Sequence, residues 1–221
     1  MPATKKKVKT RVLIVDDHPM IRRGLSGLIN EEPDIMVCGE AGTARECFES
    51  IAATEPRIAI VDVSLDDEDG LELVKEIHLR YPQLSVLVLS MHDETYYAER
   101  ALRAGASGYV MKAEAAENVT VAIRKVLSGG ICISQSVADR LLRQVVPHRD
   151  HQSFSIERLT NRELQILRLL GNGAKVREIA AQLCRSTKTV ESHHKNIKQK
   201  LGVKSSGELL RYAIQFSRKD G

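Results

Sequence analysis

Residues 57–70, RIAIVDVSLDDEDG, contain the pattern that decides the fold of this 221-residue chain. The run from Ile58 to Val61 is apolar at every position, which is typical of a strand buried on both faces of a parallel sheet. Asp62 follows this run, and an acidic loop leads from it to Gly70. Open parallel sheets bind their ligands beyond the carboxyl ends of the strands. We therefore expect Asp62 to lie in a functional site.

Three further apolar runs each end in a polar or charged residue. The runs are 12–15, 86–89 and 108–111, and the residues that follow them are Asp16 with Asp17, Ser90 and Lys112. If these strands lie side by side in parallel, their ends bring three carboxylates, a hydroxyl and an ammonium into one crevice.

The spacing of these runs predicts the fold class of the first part of the chain. Strand-like runs begin near positions 12, 35, 58, 85 and 108, and amphipathic segments lie between them. Alternation of strand and helix predicts βαβ units and a parallel sheet with helices on both faces. We expect a flavodoxin-like, doubly wound α/β domain with a five-stranded parallel sheet.

Charge is distributed unevenly along the chain. Residues 11–128 carry 12 Lys and Arg against 21 Asp and Glu, whereas residues 156–221 carry 14 against 6. This asymmetry indicates an acidic domain joined to a nucleic-acid-binding domain, although two halves that attract each other would also explain it. We predict a disordered basic tail over 1–10, the α/β domain over 11–128, a linker with one helix over 129–156, and a small all-α domain of four helices over 157–221.

Cysteine usage and hydropathy restrict the compartment of the protein. The four cysteines form no CxxC pair, which favours a reducing cytosol and argues against a zinc site or a disulfide framework. No apolar run approaches the ~18 residues of a membrane span, and no signal peptide is apparent. We expect a cytoplasmic protein without a membrane partner.

The three carboxylates predict a metal site. Asp16, Asp17 and Asp62 would repel one another, and one of them would take up a proton unless a cation were present. A site made only of oxygen ligands suits Mg²⁺. Asp62 can then attack phosphorus to form an acyl phosphate, while Lys112 supplies a second cation and Ser90 donates to a phosphoryl oxygen.

Residues 11–128 resemble the receiver domain of bacterial two-component response regulators. The resemblance is carried by Asp16, Asp17, Asp62, Ser90, Tyr109 and Lys112 in that order. It implies Mg²⁺ held by Asp16, Asp17, Asp62 and the backbone carbonyl of Ser64. It also implies that Asp62 accepts a phosphoryl group from a sensor histidine kinase, and that Ser90 and Tyr109 form a switch pair. Asp66 and Ala113 stand where many relatives have proline.

The last part of the chain has helix-turn-helix spacing. Thr160 and Glu163 form a capping-box pattern, and a short helix over 175–183 is followed by a tight turn and a basic helix over 187–201. One stripe of that basic helix is apolar. The opposite stripe suits base edges in a major groove and consists of Lys188, Glu191, Ser192, Lys195 and Gln199. Residues suited to phosphate contacts near its start are Ser186, Thr187 and Thr189.

Residues 157–217 resemble the LuxR-type helix-turn-helix. The segments that match are 159–163, 178–180, 188–193 and 200–203. With the receiver, they make the chain similar to the NarL/FixJ class of response regulators. The resemblance implies a transcription factor that binds double-stranded DNA at promoter half-sites and forms a homodimer when phosphorylated. In that dimer, a last helix over 206–217 would pair with its copy.

Two other functions remain open at this point. One is a Mg²⁺-dependent phosphatase with an aspartyl nucleophile. Such an enzyme usually has a second acid two residues after the nucleophile, and the presence of Ser64 at that position argues against it. The other is a DNA-binding dimer that acts independently of phosphorylation. We expect no enzymatic activity beyond self-phosphorylation and self-dephosphorylation.

Overall fold

The computed structural model describes residues 9–65, 68–91, 94–145, 158–183 and 185–218. Most of the predicted basic tail and residues 66–67 of the acidic loop lie outside the described residues. So do residues 146–156 of the predicted linker and residue 157, the first of the predicted all-α domain. The chain divides into two compact units near residue 147. Among the described residues, no helix is both long enough and apolar enough to cross a bilayer.

The first unit is an α/β sandwich. Its strands are β1 (Thr10–Val15), β2 (Ile35–Ala41), β3 (Ile58–Asp62), β4 (Ser64–Leu65), β5 (Glu68–Asp69), β6 (Ser85–Ser90) and β7 (Gly108–Met111). Its helices are α1 (Pro19–Asn30), α2 (Ala44–Thr54), α3 (Gly70–Arg80), α4 (Glu94–Arg103), α5 (Ala115–Leu127) and α6 (Gln135–Val145). Five strands form one parallel sheet in the order β2-β1-β3-β6-β7. The predicted doubly wound fold is confirmed.

The core of this unit explains the continuous apolar runs of the sequence. Every residue of β3 is buried, because helices cover both faces of the sheet. On one face, Ile14, Ile60 and Leu87 pack with residues of α1 and α5, including Ile29 and Ile123. Alternating polar residues would place side chains in this interior without partners, so the central strands are apolar throughout.

A segment that follows α5 covers the outer edge of β7. The Tyr109 N–H donates to the Cys132 carbonyl over 2.7 Å, and the Cys132 N–H donates to the Ser107 carbonyl over 3.0 Å. Gly108 forms a parallel bridge with Cys132. The chain then enters α6, which packs against α4. The predicted linker thus begins as part of the first unit.

The described part of the second unit contains four α-helices. They are α7 (Asn161–Gly171), α8 (Val176–Gln182), α9 (Thr187–Leu201) and α10 (Ser206–Arg218). The capping box of Thr160 and Glu163 is present at the start of α7. Gly202, with φ +70°, ends α9 in the left-handed conformation that glycine tolerates best.

Helix α10 packs against α7 within the same chain. A Cβ on Gly171 would collide with the Ala213 carbonyl, so glycine is what allows this close approach. Leu209, Ala213 and Phe216 are buried there, at i, i+4 and i+7. Leu210 is 43% exposed.

Candidate functional site

The register of the sheet brings the predicted polar strand ends together. Val15 is paired with Val61, so Asp16 lies beside Asp62 at the carboxyl edge of β1 and β3. Asp62 is in turn paired with Leu89, which places Ser90 one position further along β6. The convergence expected from the sequence therefore follows from strand order and register.

Lys112 lies between two buried carboxylates. Its Nζ is 2.6 Å from Asp16 Oδ2 and 2.7 Å from Asp62 Oδ2. The side chains of Lys112, Asp16 and Asp62 are only 6%, 2% and 3% exposed. Lys112 begins a 3₁₀ turn after β7, so the fifth strand of the parallel sheet positions the ammonium for the ends of β1 and β3.

This pocket has more negative charge than one ammonium can balance. Burial raises the pKa of Asp62 to about 6, and Lys112 offsets only part of that effect. For Lys112, burial lowers the pKa, but Asp62 and Asp16 more than offset it, so the pKa of Lys112 is raised. A cation that entered this pocket would therefore stabilise the ionised form of Asp62.

Asp17 and His18 complete the cluster on its solvent side. His18 Nδ1 is 2.6 Å from Asp17 Oδ1 and 3.3 Å from Asp16 Oδ1, and the His18 N–H donates to Asp16 Oδ1 over 2.8 Å. Side-chain ligand atoms of Asp16, Asp17, His18 and Asp62 all lie within 4.8 Å of one another. Three carboxylates at this separation fit a hard divalent cation.

His18 was missed by the sequence analysis. The available signal was its position directly after the aspartate pair and before Pro19, which opens α1. That position places its Nδ1 within contact distance of the carboxylates of Asp16 and Asp17.

The acidic loop is folded back beside Asp62 by a short hairpin. Ser64 is paired with Asp69 between β4 and β5, and the Ser64 N–H donates to the Asp62 carboxylate. The Gly70 N–H donates to the Val63 carbonyl over 3.0 Å. A Cβ on Gly70 would collide with the Asp62 carbonyl, so this glycine is needed to hold the loop against the end of β3.

The predicted switch residues lie on neighbouring strands. Ser90 is fully buried at the end of β6, and Tyr109 is 2% exposed on β7. Val88 is paired with Tyr109, and Ser90 with Met111. Both side chains are therefore inside the protein, Ser90 on β6 and Tyr109 on the neighbouring edge strand β7, which Cys132 covers.

In the second unit, α9 separates into the two predicted stripes. Val190 and Ile197 are buried and Leu201 is half-buried. The residues predicted to face base edges, Lys188, Glu191, Ser192, Lys195 and Gln199, are all exposed. Ser186 caps the helix by accepting from the Thr189 N–H over 3.1 Å, and Ser186 and Thr187 are exposed. Their contacts with DNA stay predictions.

An ion pair that the sequence analysis missed joins α9 to the buried carboxylate of Glu163 on α7. Glu163 is 2% exposed, and its Oε2 accepts from Lys200 Nζ and from the Thr160 N–H, each over 2.7 Å. The capping-box pattern predicted only the second of these contacts. Lys200 approaches Glu163 because α7 and α9 pack together, and no local pattern encodes that approach.

Comparison with known proteins identifies both units. Residues 12–124 match the family described as response regulator receiver domain, and residues 157–213 match the bacterial regulatory proteins of the luxR family. The chain belongs to the DNA-binding response regulators. Its receiver match alone spans half of the chain.

Relatives of this response regulator share both units. The transcriptional activator protein ExaE of Pseudomonas putida is 38% identical, over 92% of this chain and 95% of that protein. The oxygen regulatory protein NreC of Staphylococcus haemolyticus is 32% identical, over 93% and 97%. Similar solved structures include RcsB of Salmonella enterica serovar Typhimurium bound to promoter rprA with the phosphomimetic BeF₃⁻, at 28% identity, 93% and 98% coverage and TM-score 0.57.

The response regulator is therefore a DNA-binding protein of a two-component system, of the NarL/FixJ class. A receiver joined to a luxR-type domain does not favour the alternative of a phosphatase with an aspartyl nucleophile.

Proposed function

We propose that Asp62 is the phosphoacceptor of this response regulator and that a sensor histidine kinase is its donor. The observation that carries the proposal is the contact of Lys112 with both Asp16 and Asp62. An aspartate in this position has an ammonium beside it that can stabilise the negative charge of an incoming phosphoryl group. An Asp62 oxygen attacks phosphorus, a P–O bond forms, and the phosphorus–nitrogen bond of the donor breaks with its electron pair leaving on the histidine.

We propose Mg²⁺ as the metal, held by Asp16, Asp17, Asp62 and the backbone carbonyl of Ser64. When bound, Mg²⁺ supplies the positive charge that lets a phosphoryl group approach these carboxylates. The oxygen-rich donor set supports Mg²⁺ over softer metals. Lys112 then pairs with the phosphoryl group, and the Ser90 hydroxyl donates to one of its oxygens.

The proposed output is a change in dimerisation and DNA binding in the cytoplasm. Ser90 moves toward the phosphoryl group, and Tyr109 follows into the space that it leaves. The exposed stripe of α9 then reads base edges through Lys188, Glu191, Ser192, Lys195 and Gln199. Ser186, Thr187 and Thr189 contact phosphates. Solved RcsB dimers bound to DNA support a dimer on paired half-sites.

Fluorescence anisotropy on genomic promoter fragments tests this function. Acetyl phosphate with Mg²⁺ is expected to tighten binding by the parent protein and to leave the Asp62→Asn variant unchanged. Asp69→Asn is the matched control, since Asp69 lies in the same loop and caps α3, a role that asparagine also fills. Equal affinity of the parent with and without phosphodonor would support a dimer that acts independently of phosphorylation.

The proposed groove face has its own test. Lys195→Ala is expected to weaken specific binding by roughly 1–3 kcal/mol and to relax the preference at one base pair. Unchanged sequence preference would show that this stripe does not read bases.

A further inference from the structure

Two aspartates of the proposed metal site are consecutive in the sequence, and an extended chain would separate them. Neighbouring side chains of a strand point to opposite faces of the sheet. Strand β1 ends at Val15 and Asp17 lies at a bend, so that ligand atoms of Asp16 and Asp17 come within 4.8 Å of each other. The orientation of the peptide that joins Asp16 to Asp17 therefore decides whether both carboxylates reach one cation.

Arg22 holds this peptide by its carbonyl oxygen. The Arg22 Nη1 donates to the Asp16 carbonyl over 2.5 Å, while the Asp16 N–H donates to the Ala41 carbonyl over 3.0 Å. The backbone of Asp16 is thus bonded to α1 on one side and to β2 on the other. A rotation of the peptide between Asp16 and Asp17 would break the bond to Arg22.

Arg22 is itself held by a carboxylate on β2. Its Nε lies 3.5 Å from Glu40 Oε2, and the Ser26 hydroxyl donates to Glu40 Oε1 over 2.6 Å. The Arg22 side chain is 20% exposed. A guanidinium has a planar fork of donors that can serve a carbonyl and a carboxylate together, so these contacts restrict where Arg22 can place its Nη1.

Charge alone does not account for the place of Arg22 on α1. Arg22 is the fourth residue of this helix, and the first turn of a helix favours negative rather than positive charge. A cation near the carboxylates also repels a divalent metal ion. The contacts of Arg22 indicate instead that it controls the geometry of the carboxylates.

We propose that Arg22 is a positioning residue for the divalent cation. By fixing the peptide between Asp16 and Asp17, it holds their carboxylates close together before the metal ion binds, so that binding loses less entropy in ordering them. Hydrogen bonds that orient metal ligands commonly contribute about 10- to 100-fold to metal affinity. This inference rests on the proposed Mg²⁺ site.

The experiment is calorimetric titration of the metal-free full chain with Mg²⁺. Arg22→Met keeps an apolar stem but removes the guanidinium, and it is expected to weaken Mg²⁺ binding roughly 10-fold. Arg23→Met removes the same charge from the next, exposed residue and is the matched control. Coulomb repulsion alone predicts the opposite sign for both variants, because the loss of a positive charge favours a bound cation.

Two further measurements distinguish positioning from a general loss of structure. Ser26→Ala leaves the net charge unchanged and loosens Glu40, and it is expected to weaken Mg²⁺ binding about 3-fold. At saturating Mg²⁺, acetyl phosphate is expected to label Arg22→Met as fast as the parent. The reason is that the groups proposed to act on the phosphoryl group, Asp62, Lys112 and Ser90, are all retained in this variant.

The outcomes separate the role of Arg22 from the site on which it rests. If Arg22→Met binds Mg²⁺ as tightly as Arg23→Met, the positioning role is wrong and the proposed metal site stands. Slow labelling of Arg22→Met at saturating Mg²⁺, beside normal labelling of the parent, would also overturn the role. If Arg22→Met fails to fold, parent-like affinity of Ser26→Ala overturns it.

The parent protein tests the two underlying proposals separately. If the parent binds no Mg²⁺, the positioning role and the proposed metal site both fail. If the parent binds Mg²⁺, and Arg22→Met binds it roughly 10-fold more weakly, the positioning role stands even when acetyl phosphate does not label the parent. In that case only the phosphoacceptor proposal fails.

Discussion

Two contacts of a lysine with buried carboxylates, one in each unit, show how a functional site differs from a structural ion pair. Lys200 meets Glu163, whose carboxylate also accepts the Thr160 N–H. Lys112 meets both Asp16 and Asp62, with the carboxylate of Asp17 nearby. The first contact balances one charge with one charge and a cap. The second leaves negative charge in excess, which a bound metal ion would balance so that a phosphoryl group, itself negatively charged, can approach.

The largest expected effect comes from removing the ammonium of the unbalanced contact. Lys112→Met is expected to slow labelling by acetyl phosphate roughly 100-fold, because a preorganised cation aimed at the developing charge is lost. Lys200→Met removes the same group from the other contact and is expected to leave labelling unchanged. Intact-protein mass spectrometry measures both rates. Equal rates in the two variants would remove the distinction between the contacts.

The excess negative charge also predicts a pH dependence of stability. The pKa of Asp62 rises from 3.8 to about 6 on folding, so the folded state binds the proton more tightly than the unfolded state. Ionised Asp62 then destabilises the metal-free receiver as the pH rises from about 4 to 7, by about 3 kcal/mol in total.

Urea unfolding with EDTA tests this sign. The parent is expected to be as stable as Asp62→Asn near pH 4 and less stable than that variant at pH 7. Mg²⁺ at pH 7 is expected to stabilise the parent and to have little effect on the variant. If the parent instead became more stable relative to Asp62→Asn as the pH rose from 4 to 7, the direction of the pKa shift assigned to Asp62 would be wrong.

A smaller loss of stability is expected when the balanced contact is broken. Lys200→Met leaves the buried carboxylate of Glu163 without its ion pair and should destabilise the second unit by about 2 kcal/mol. That is below the ~3–5 kcal/mol of a fully buried pair, because the Lys200 side chain is 34% exposed. Calorimetry of the full chain measures the unfolding transition of the second unit. Lys195→Met, on the exposed stripe of the same helix, is the control. Identical transitions for the two variants would make the ion pair irrelevant to stability.

The smallest expected effect concerns His18. Its ring contacts the carboxylates of Asp17 and Asp16. The side chain is 63% exposed, so water screens much of its electrostatic interaction with them. His18→Ala is expected to weaken Mg²⁺ binding about 3-fold, a loss of roughly 0.6 kcal/mol. Titration calorimetry would detect it. A 100-fold loss would make His18 a ligand rather than a residue that positions one.

The sequence was most informative where burial constrains every position. A continuous apolar run shows where a buried strand ends, because a polar residue follows it. Parallel topology brings those ends together, so Asp62 and Lys112 could be placed near each other although they are 50 positions apart. The exposed and buried stripes of α9 followed from helical periodicity in the same way.

The contacts that the sequence did not predict depend on how elements meet. The Glu163–Lys200 pair requires α7 and α9 to pack together. The pairing of Cys132 with β7 is a single bridge, too short to leave a periodic pattern. On α10, the packing of α7 buries Leu209, Ala213 and Phe216 and leaves the neighbouring Leu210 43% exposed.

The most direct test of the central claim locates the phosphoryl group chemically. After incubation with acetyl phosphate and Mg²⁺, borohydride reduces an acyl phosphate to the corresponding alcohol, and peptide mass spectrometry identifies the reduced residue. We expect reduction at Asp62 alone, and none when EDTA replaces Mg²⁺. Reduction at Asp16 or Asp17, or full modification without a divalent cation, would contradict the account of a metal-dependent pocket built around Asp62.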